Sequence, residues 1–308
     1  MTWRPQEESL GPTCILNGHS IHVEEAQAHI ARISGELGVR ARVVVTRKGD
    51  NISSLAARAL SENGHLVVAG GGDGTVSAVA GVLAGTNAAI GVLPMGTLNH
   101  FAKDVGIPRH LEAAVRNIFT GQVTNVDVGE VNGHVFVNNS GMGFYPHFVR
   151  QREEQEQHGH VKRVAFVLAL RSVVRRYFRL RMKLHMDQAE ALEHVTPFLF
   201  VGNNRYQTAG LEIGTRSRLD SGQLWVCTAP LTNRQNFVQL ALKTLVGRDT
   251  DQDLSAFESK EILVQPGTPR VNVSTDGEVS VMDAPLHYTI RPKALRVVVP
   301  AQKTRSES

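Results

Sequence analysis

The sequence predicts an α/β layer with a mostly parallel sheet, followed by an antiparallel β-sandwich or barrel. Three observations lead there. Short apolar runs alternate with segments of helical period as far as Gly121. One of those runs, Leu66-Val67-Val68-Ala69, breaks into a glycine cluster and resumes at helical spacing. Near Val123 the pattern changes, and strands separated by Gly, Pro and Asn turns take over.

The first strand is Thr13 to Leu16, and Asn17-Gly18 turns the chain. Ser20 is placed to cap a helix carrying Val23, Ala26, Ile30, Ile33 and Leu37, which Gly38 ends. Val43 to Val45 is the next strand, and Ile52, Leu55, Ala56, Ala59 and Leu60 mark the next helix. The glycine-loop strand and its helix, with Val76, Val79, Ala80 and Leu83, follow. Ala89 to Leu93 is a strand stopped by Pro94, and Leu111, Ala114, Val115 and Ile118 make a helix before Gly121. Strands are then expected at Val126–Val128, His134–Asn138, Leu180–Met186, Pro197–Val201, Leu224–Thr228, Ile262–Gln265, Arg270–Ser274, Leu286–Ile290 and Leu295–Val299. The change of pattern divides the chain into an α/β domain at 1–124, with residues 1–12 disordered, a β domain at 125–300 and a disordered polar tail at 301–308.

The chain has 308 residues, 42% hydrophobic and 20% charged, which suits an ordinary globular protein with two cores. A net charge of +4 is too small an excess to imply nucleic acid unless it is concentrated. Cys14 and Cys227 make neither a disulfide framework nor a metal motif. Met1 to Gly11 is polar, with no apolar leader core, and the longest apolar runs are too short to span a bilayer. These features point to the cytoplasm. One segment concentrates charge: Lys162 to Lys183 mixes Val, Leu and Phe with Arg171, Arg175, Arg176, Arg179 and Arg181. Such a stretch lies on an anionic membrane surface, here the inner membrane face, or it is a solvated helix leading into a strand with its arginines paired to acids.

Chemistry concentrates in three stretches. Strand, glycine turn, helix is the setting in which a glycine loop cradles phosphate, because glycine backbone takes positive φ and lets a phosphate approach its N–H groups. Asp73 repels phosphate unless a divalent cation sits between them. The same loop also reads as a plain strand-to-helix turn with a capping Asp. Leu93 to Ala102, LPMGTLNHFA, follows a strand and offers Thr97 and Asn99 to a phosphate or a metal shell, or is a turn into a short helix capped by Asn99. Val273 to Glu278, VSTDGE, sets a glutamate just past a tight Asp276-Gly277 turn, or is an ordinary hairpin with an exposed acid.

Together these stretches resemble the diacylglycerol kinase catalytic-domain family, which includes bacterial diacylglycerol kinases and sphingosine kinases. GGDGT at Gly71–Thr75 resembles that family's signature loop, and PMGTLNHFA at Pro94–Ala102 is similar to its PxGTxNDFA motif. VNNSGMGF at Val137–Phe144 resembles its Asn/Gly-rich strand end, and TDGE at Thr275–Glu278 its late DGE. The order covers Ile15 to Val299. GGDGT is shared with NAD kinases and phosphofructokinases; the other motifs favour the lipid kinases.

The resemblance implies an NAD kinase-like α/β nucleotide-binding domain and a C-terminal antiparallel β-sandwich that takes the lipid. It implies ATP contacts from Asn17, Thr46, Gly71, Gly72, Asp73, Gly74, Thr75, Thr97 and Asn99, and Mg2+ organised by Asp73 and Asp127. Glu278 would be the general base, and Asp276 a turn residue. Thr46 reads equally as a strand-end turn residue, and Asp127 as a strand-end acid. Three departures stand out. Gly18 follows Asn17 where the family has Pro, and His100 replaces an Asp. Ser221 replaces the second acid of a structural-metal loop, so a magnesium held at Arg218, Ser221 and Gln223 lacks its charged ligand. The expected activity is an ATP- and Mg2+-dependent transfer of the γ-phosphoryl to a diacylglycerol-like or sphingoid-like hydroxyl. The rival readings are a NAD kinase-like enzyme and a catalytically weak lipid- or nucleotide-binding regulator.

Overall fold

The computed structural model describes residues 11–62, 64–143, 180–186, 192–207, 215–229 and 254–301. It divides into two units, Met1–Val128 with Lys293–Ser308 and Gly129–Pro292. Of the expected disordered ends, 1–10 and 302–308 lie outside the described residues, as does most of Lys162–Lys183; Pro12 is buried, with its carbonyl accepting from Arg42 N, and Leu180–Lys183 is strand.

The first unit alternates strand and helix: β1 (Thr13–Leu16), α1 (Val23–Glu36), β2 (Arg42–Val45), α2 (Ile52–Ser61), β3 (Leu66–Gly71), α3 (Asp73–Leu83) and β4 (Ala89–Pro94). A short α4 (His100–Asp104) and α5 (Leu111–Thr120) lead into β5 (Gln122–Val131). The sheet order β2-β1-β3-β4 is parallel throughout. The strands are mostly apolar because helices cover such a sheet; β3 is wholly buried, while β2, at the edge, opens on the exposed Arg42. α1 turns Ala26, Ile30 and Ile33 inward, and α5 turns Ala114, Val115 and Ile118 inward, each at the helical repeat. α1 ends at Gly38, at φ +66. Ser20 does not cap it: the cap is His22, and the Ser20 hydroxyl donates instead to Met95 O at 2.9 Å.

The second unit holds β6 (His134–Phe136), β7 (Asn139–Gly143), β8 (Leu180–Met186), β9 (Leu192–Thr196), β10 (Phe198–Asn203) and β11 (Leu224–Thr228). It continues with β12 (Ser255–Ser259), β13 (Glu261–Pro266), β14 (Arg270–Thr275), β15 (Glu278–Asp283) and β16 (Leu286–Val299). One antiparallel sheet runs β12-β11-β10-β7-β14-β15. β16, β13, β8 and β9 pair antiparallel in another. Alternate residues of both meet in one core: Leu199 and Val201, Leu224 and Val226, Met182 and Leu184, Ile262 and Val264, Leu286 and Tyr288. That is a β-sandwich. Burial pushes the Tyr288 hydroxyl up to about 12, and it faces Ser140 Oγ at 3.2 Å.

Three features differ from the sequence expectation. β7, β9, β12 and β15 are additional strands; β7 is rich in Gly and Asn, and the others are half-exposed or short, so their apolar signal is weak. Leu286–Ile290 and Leu295–Val299 form one strand, not two. Pro292, between them, lacks a ladder donor. The strand runs on with Lys293 at φ +54, its N–H donated to Asp127 Oδ1 at 2.8 Å. The units therefore part at Val128/Gly129 and again at Pro292/Lys293, whereas the pattern change placed one division at 124/125. The last residues of β16 return to the first unit and pair parallel with β4, Arg296 to Ala89 and Val297 to Ile90. No sequence signal marks that return, because parallel neighbours need not be consecutive.

Candidate active site

Four parallel strands end on the same edge of the first unit, so the residues after β1, β2, β3 and β4 converge there. Asn17, just past β1, donates its N–H to Gly70 O at 2.7 Å. Thr46, just past β2, is buried; it donates its N–H to Leu16 O at 2.9 Å and accepts from Gly18 N at 3.2 Å. That last bond gives a reason for Gly18 where the family has proline, which has no N–H to give. Met95 N donates to Gly71 O at 3.0 Å, which ties the turn after β4 to the glycine loop after β3.

The glycines serve close approach. None of Gly70, Gly71 and Gly72 takes positive φ, so the expected conformational role is replaced by a steric one. A Cβ at Gly71 would collide with the Thr75 side chain, and a Cβ at Gly96 with Gly72 Cα. The two motif backbones touch there, an approach that a side chain at Gly96 would prevent. Gly72 is more forgiving: its Cβ would lie 3.5 Å from Gly96 Cα. Gly96→Ala should therefore lower the melting temperature by several degrees, the scale of about 1–3 kcal/mol of overpacking. Gly72→Ala should lower it less. Thermal denaturation of the two variants checks this asymmetry.

Asp73 opens α3 and is half-buried. Its Oδ1 accepts from Phe101 N at 3.2 Å, so the carboxylate is held between the glycine loop and the second motif. His100, beside that N–H, is exposed, as is Thr97. Asn99 stands at the N-cap position of α4 with φ +50, but its side chain makes no cap bond. It closes the turn instead, accepting from Gly96 N at 3.0 Å and donating to Gly96 O at 2.6 Å. Asp127 is fully buried in β5 against Lys293 N. Gly71, Gly72, Asp73, Gly74, Thr75, Thr97 and Asn99 thus share one hydrogen-bonded cluster or its adjoining turns, with Asn17 and Thr46 at its side.

In the second unit, Asp276 (φ +48) and Gly277 (φ +94) make the two-residue turn between β14 and β15, closed by the Thr275–Glu278 pair. Glu278 is exposed at the start of β15.

Residues 13–131 match the diacylglycerol kinase catalytic domain, and residues 148–299 the YegS C-terminal NAD kinase beta sandwich-like domain. A Pseudomonas aeruginosa protein named "Probable lipid kinase YegS-like" is 30% identical over 293 residues, 93% of each chain. The chain belongs to the diacylglycerol kinase family of lipid kinases. A solved diacylglycerol kinase from Bacillus anthracis shares the fold at TM-score 0.70, with 18% identity over 96% of this chain and 98% of the other. The NAD kinase of Archaeoglobus fulgidus, solved in complex with ATP, matches at TM-score 0.52 and 11% identity over 93% of each chain.

Outside these motifs the lipid kinase keeps polar residues that sequence reasoning passed over. In the loop of Arg218, Ser221 and Gln223, Ser221 donates its N–H (2.8 Å) and hydroxyl (2.5 Å) to Asn204 Oδ1. Gln223 O accepts from Asn204 N at 3.1 Å, and Arg218 Nε donates to Asp220 Oδ1 at 3.2 Å. The loop's carboxylate thus faces a guanidinium and its serine an amide. That donor set does not fit a magnesium ion. Among the described residues no three acids, histidines or cysteines gather as a metal would need. No helix among them is long and apolar enough to cross a membrane. Asn204 carried no local signal, and neither did Arg216, which is 4% exposed and bonded to Val137 O and Asn138 Oδ1.

Proposed function

We propose that this lipid kinase transfers the γ-phosphoryl of ATP to a lipid hydroxyl, diacylglycerol-like or sphingoid-like, with Mg2+ required. The observation that carries this reading is the Asp73 carboxylate held on Phe101 N, beside two glycine backbones in contact. Glycine-loop N–H groups can take phosphate oxygens where a side chain would exclude them. One carboxylate in that cradle suits magnesium, which keeps phosphate oxygens and water as most of its ligands. Asp73 would hold it, and Asp127 would help to organise it and its waters. Bound there, the ion supplies charge neutralisation on the transferring group. Asn17, Thr46, Thr97 and Asn99 shape the pocket wall, Asn99 by locking the turn at Gly96. Glu278 accepts the proton of the lipid hydroxyl as the new P–O bond forms.

The lipid acceptor belongs to the β-sandwich domain, with the ATP domain ahead of it. The enzyme works from the cytoplasm, with peripheral contact at the inner membrane surface through Lys162–Lys183, whose arginines would meet anionic lipid. The test is a radiolabelled-ATP assay against total bacterial lipid extracts and purified lipids, with and without Mg2+, the product identified by mass. Label entering a lipid only with Mg2+ is the expected result. Label entering NAD and no lipid would overturn it.

A further inference from the structure

The link between β6 and β7, Val137 to Asn139, is held on every backbone polar group. Asp276 Oδ2 accepts from Val137 N at 2.7 Å, and its Oδ1 accepts from Asn138 N at 2.8 Å and Asn139 N at 3.0 Å. Three successive N–H groups converging on one carboxylate make a backbone nest, here filled by a side chain of the same protein. These are charge-assisted bonds, stronger than neutral ones. The carbonyls are held as fully. Arg216 Nη1 donates to Val137 O at 2.6 Å, and Asn203 Nδ2 to the same oxygen at 2.9 Å. Asn203 N donates to Asn138 O at 2.9 Å, and Asp276 N to Asn139 O at 2.8 Å. Arg216 Nη2 reaches Asn138 Oδ1 at 2.8 Å, and Nη1 also bonds Asn203 O at 3.0 Å. The guanidinium lies 5.3 Å from the centre of the Tyr206 ring, and Tyr206 OH accepts from Asn139 Nδ2 at 3.3 Å.

A two-residue turn needs only a residue that tolerates positive φ at its first position, and Asn or Gly would serve as well as Asp276. The carboxylate does more than the turn asks. It anchors the turn to a neighbouring segment whose other side is gripped by a buried arginine. Two residues beyond Asp276 stands Glu278. β7 pairs with β14 directly below, Ser140 opposite Thr275. The turn is therefore tied to its surroundings at the residue before Gly277.

We propose that Asp276 and Arg216 are positioning residues, which grip the Val137–Asn139 link from its two sides and so hold the turn that presents Glu278. The inference rests on the reading of Glu278 as base. Aspartate is needed because only a carboxylate accepts from all three N–H groups; an amide would turn its NH2 toward Val137 N. Arginine is needed because its fork serves two carbonyls and an amide at once, which the single ammonium of lysine cannot.

The test compares Asp276→Asn, Glu278→Gln and the double variant, with total bacterial lipid extract in detergent micelles as acceptor. Circular dichroism and thermal denaturation establish folding. Asp276→Asn should lower kcat by about ten- to a hundredfold, the scale of a displaced catalytic group, with KM for ATP unchanged. In the Glu278→Gln background the same substitution should cost less than twofold, because Asp276 acts through Glu278. Arg216→Lys, with the same readouts, stands in if Asp276→Asn does not fold. An active Glu278→Gln enzyme overturns the base reading and this inference with it. An inactive Glu278→Gln beside a normal, folded Asp276→Asn overturns the inference alone, as do losses that multiply in the double variant. Failure of both Asp276→Asn and Arg216→Lys to fold would make the network a folding element and overturn the positioning role.

Discussion

Asp73→Asn should fold and lose lipid phosphorylation by roughly a hundred- to a thousandfold, the cost of removing one preorganised electrostatic contact. Asparagine has nearly the same size, and its Oδ1 can still accept from Phe101 N, the bond that Asp73 makes at 3.2 Å. The glycine loop and α4 should keep their places, so the melting temperature should stay within a few degrees. What is lost is the negative charge. Without it the cradle binds phosphate at least as well, but holds a divalent cation less well. KM for ATP should change little, the fall should appear in kcat, and the Mg2+ concentration for half-maximal rate should rise. A steady-state Mg2+ titration of wild type and variant measures all three. A folded variant with most of its activity and an unchanged Mg2+ dependence would remove Asp73 from the metal.

The second large effect is expected at Glu278. A lipid hydroxyl is a poor nucleophile at neutral pH and gains from a carboxylate that takes its proton. Glu278 is exposed at the first position of β15, across from Thr275, where a two-residue turn and a paired strand restrict its backbone. Glu278→Gln is nearly isosteric, so KM for ATP should hold while lipid phosphorylation falls about a hundredfold or more, the usual scale for a general base. Near-normal turnover in the folded variant would sink the assignment.

Much of the fold is written in short segments. The apolar run Leu66 to Ala69 and the helical spacing of Val76, Val79, Ala80 and Leu83 mark β3 and α3 to within three residues. The alternation in Leu180–Met186 marks β8, and the apolar run Leu224–Thr228 marks β11, end to end. Such periodicities are local, set by which face of a strand or helix meets the core, and a single chain displays them. Strands with a weak apolar face, such as β12 and β15, do not show themselves this way. Continuity of β16 through Pro292 also escapes, because it depends on Asp127, far back in the chain, taking the Lys293 N–H.

The candidate site divides along the same line. The residue types and order of GGDGT, PMGTLNHFA and TDGE were enough by themselves to place this chain among the lipid kinases and to single out Asp73 and Glu278. They were not enough to say what each side chain does. Asn99 reads as a cap and locks a turn; Ser20 reads as a cap and bonds Met95 O. The glycines read as sources of positive φ, yet what they permit is Gly96 lying against Gly72. Asp276 reads as a turn residue and carries three N–H groups from a segment well over a hundred positions earlier. A motif records which groups the chemistry and the local backbone require. Only the tertiary structure decides which distant donor or acceptor each group meets, because a hydrogen bond depends on distance and angle in space, and separation along the chain constrains neither.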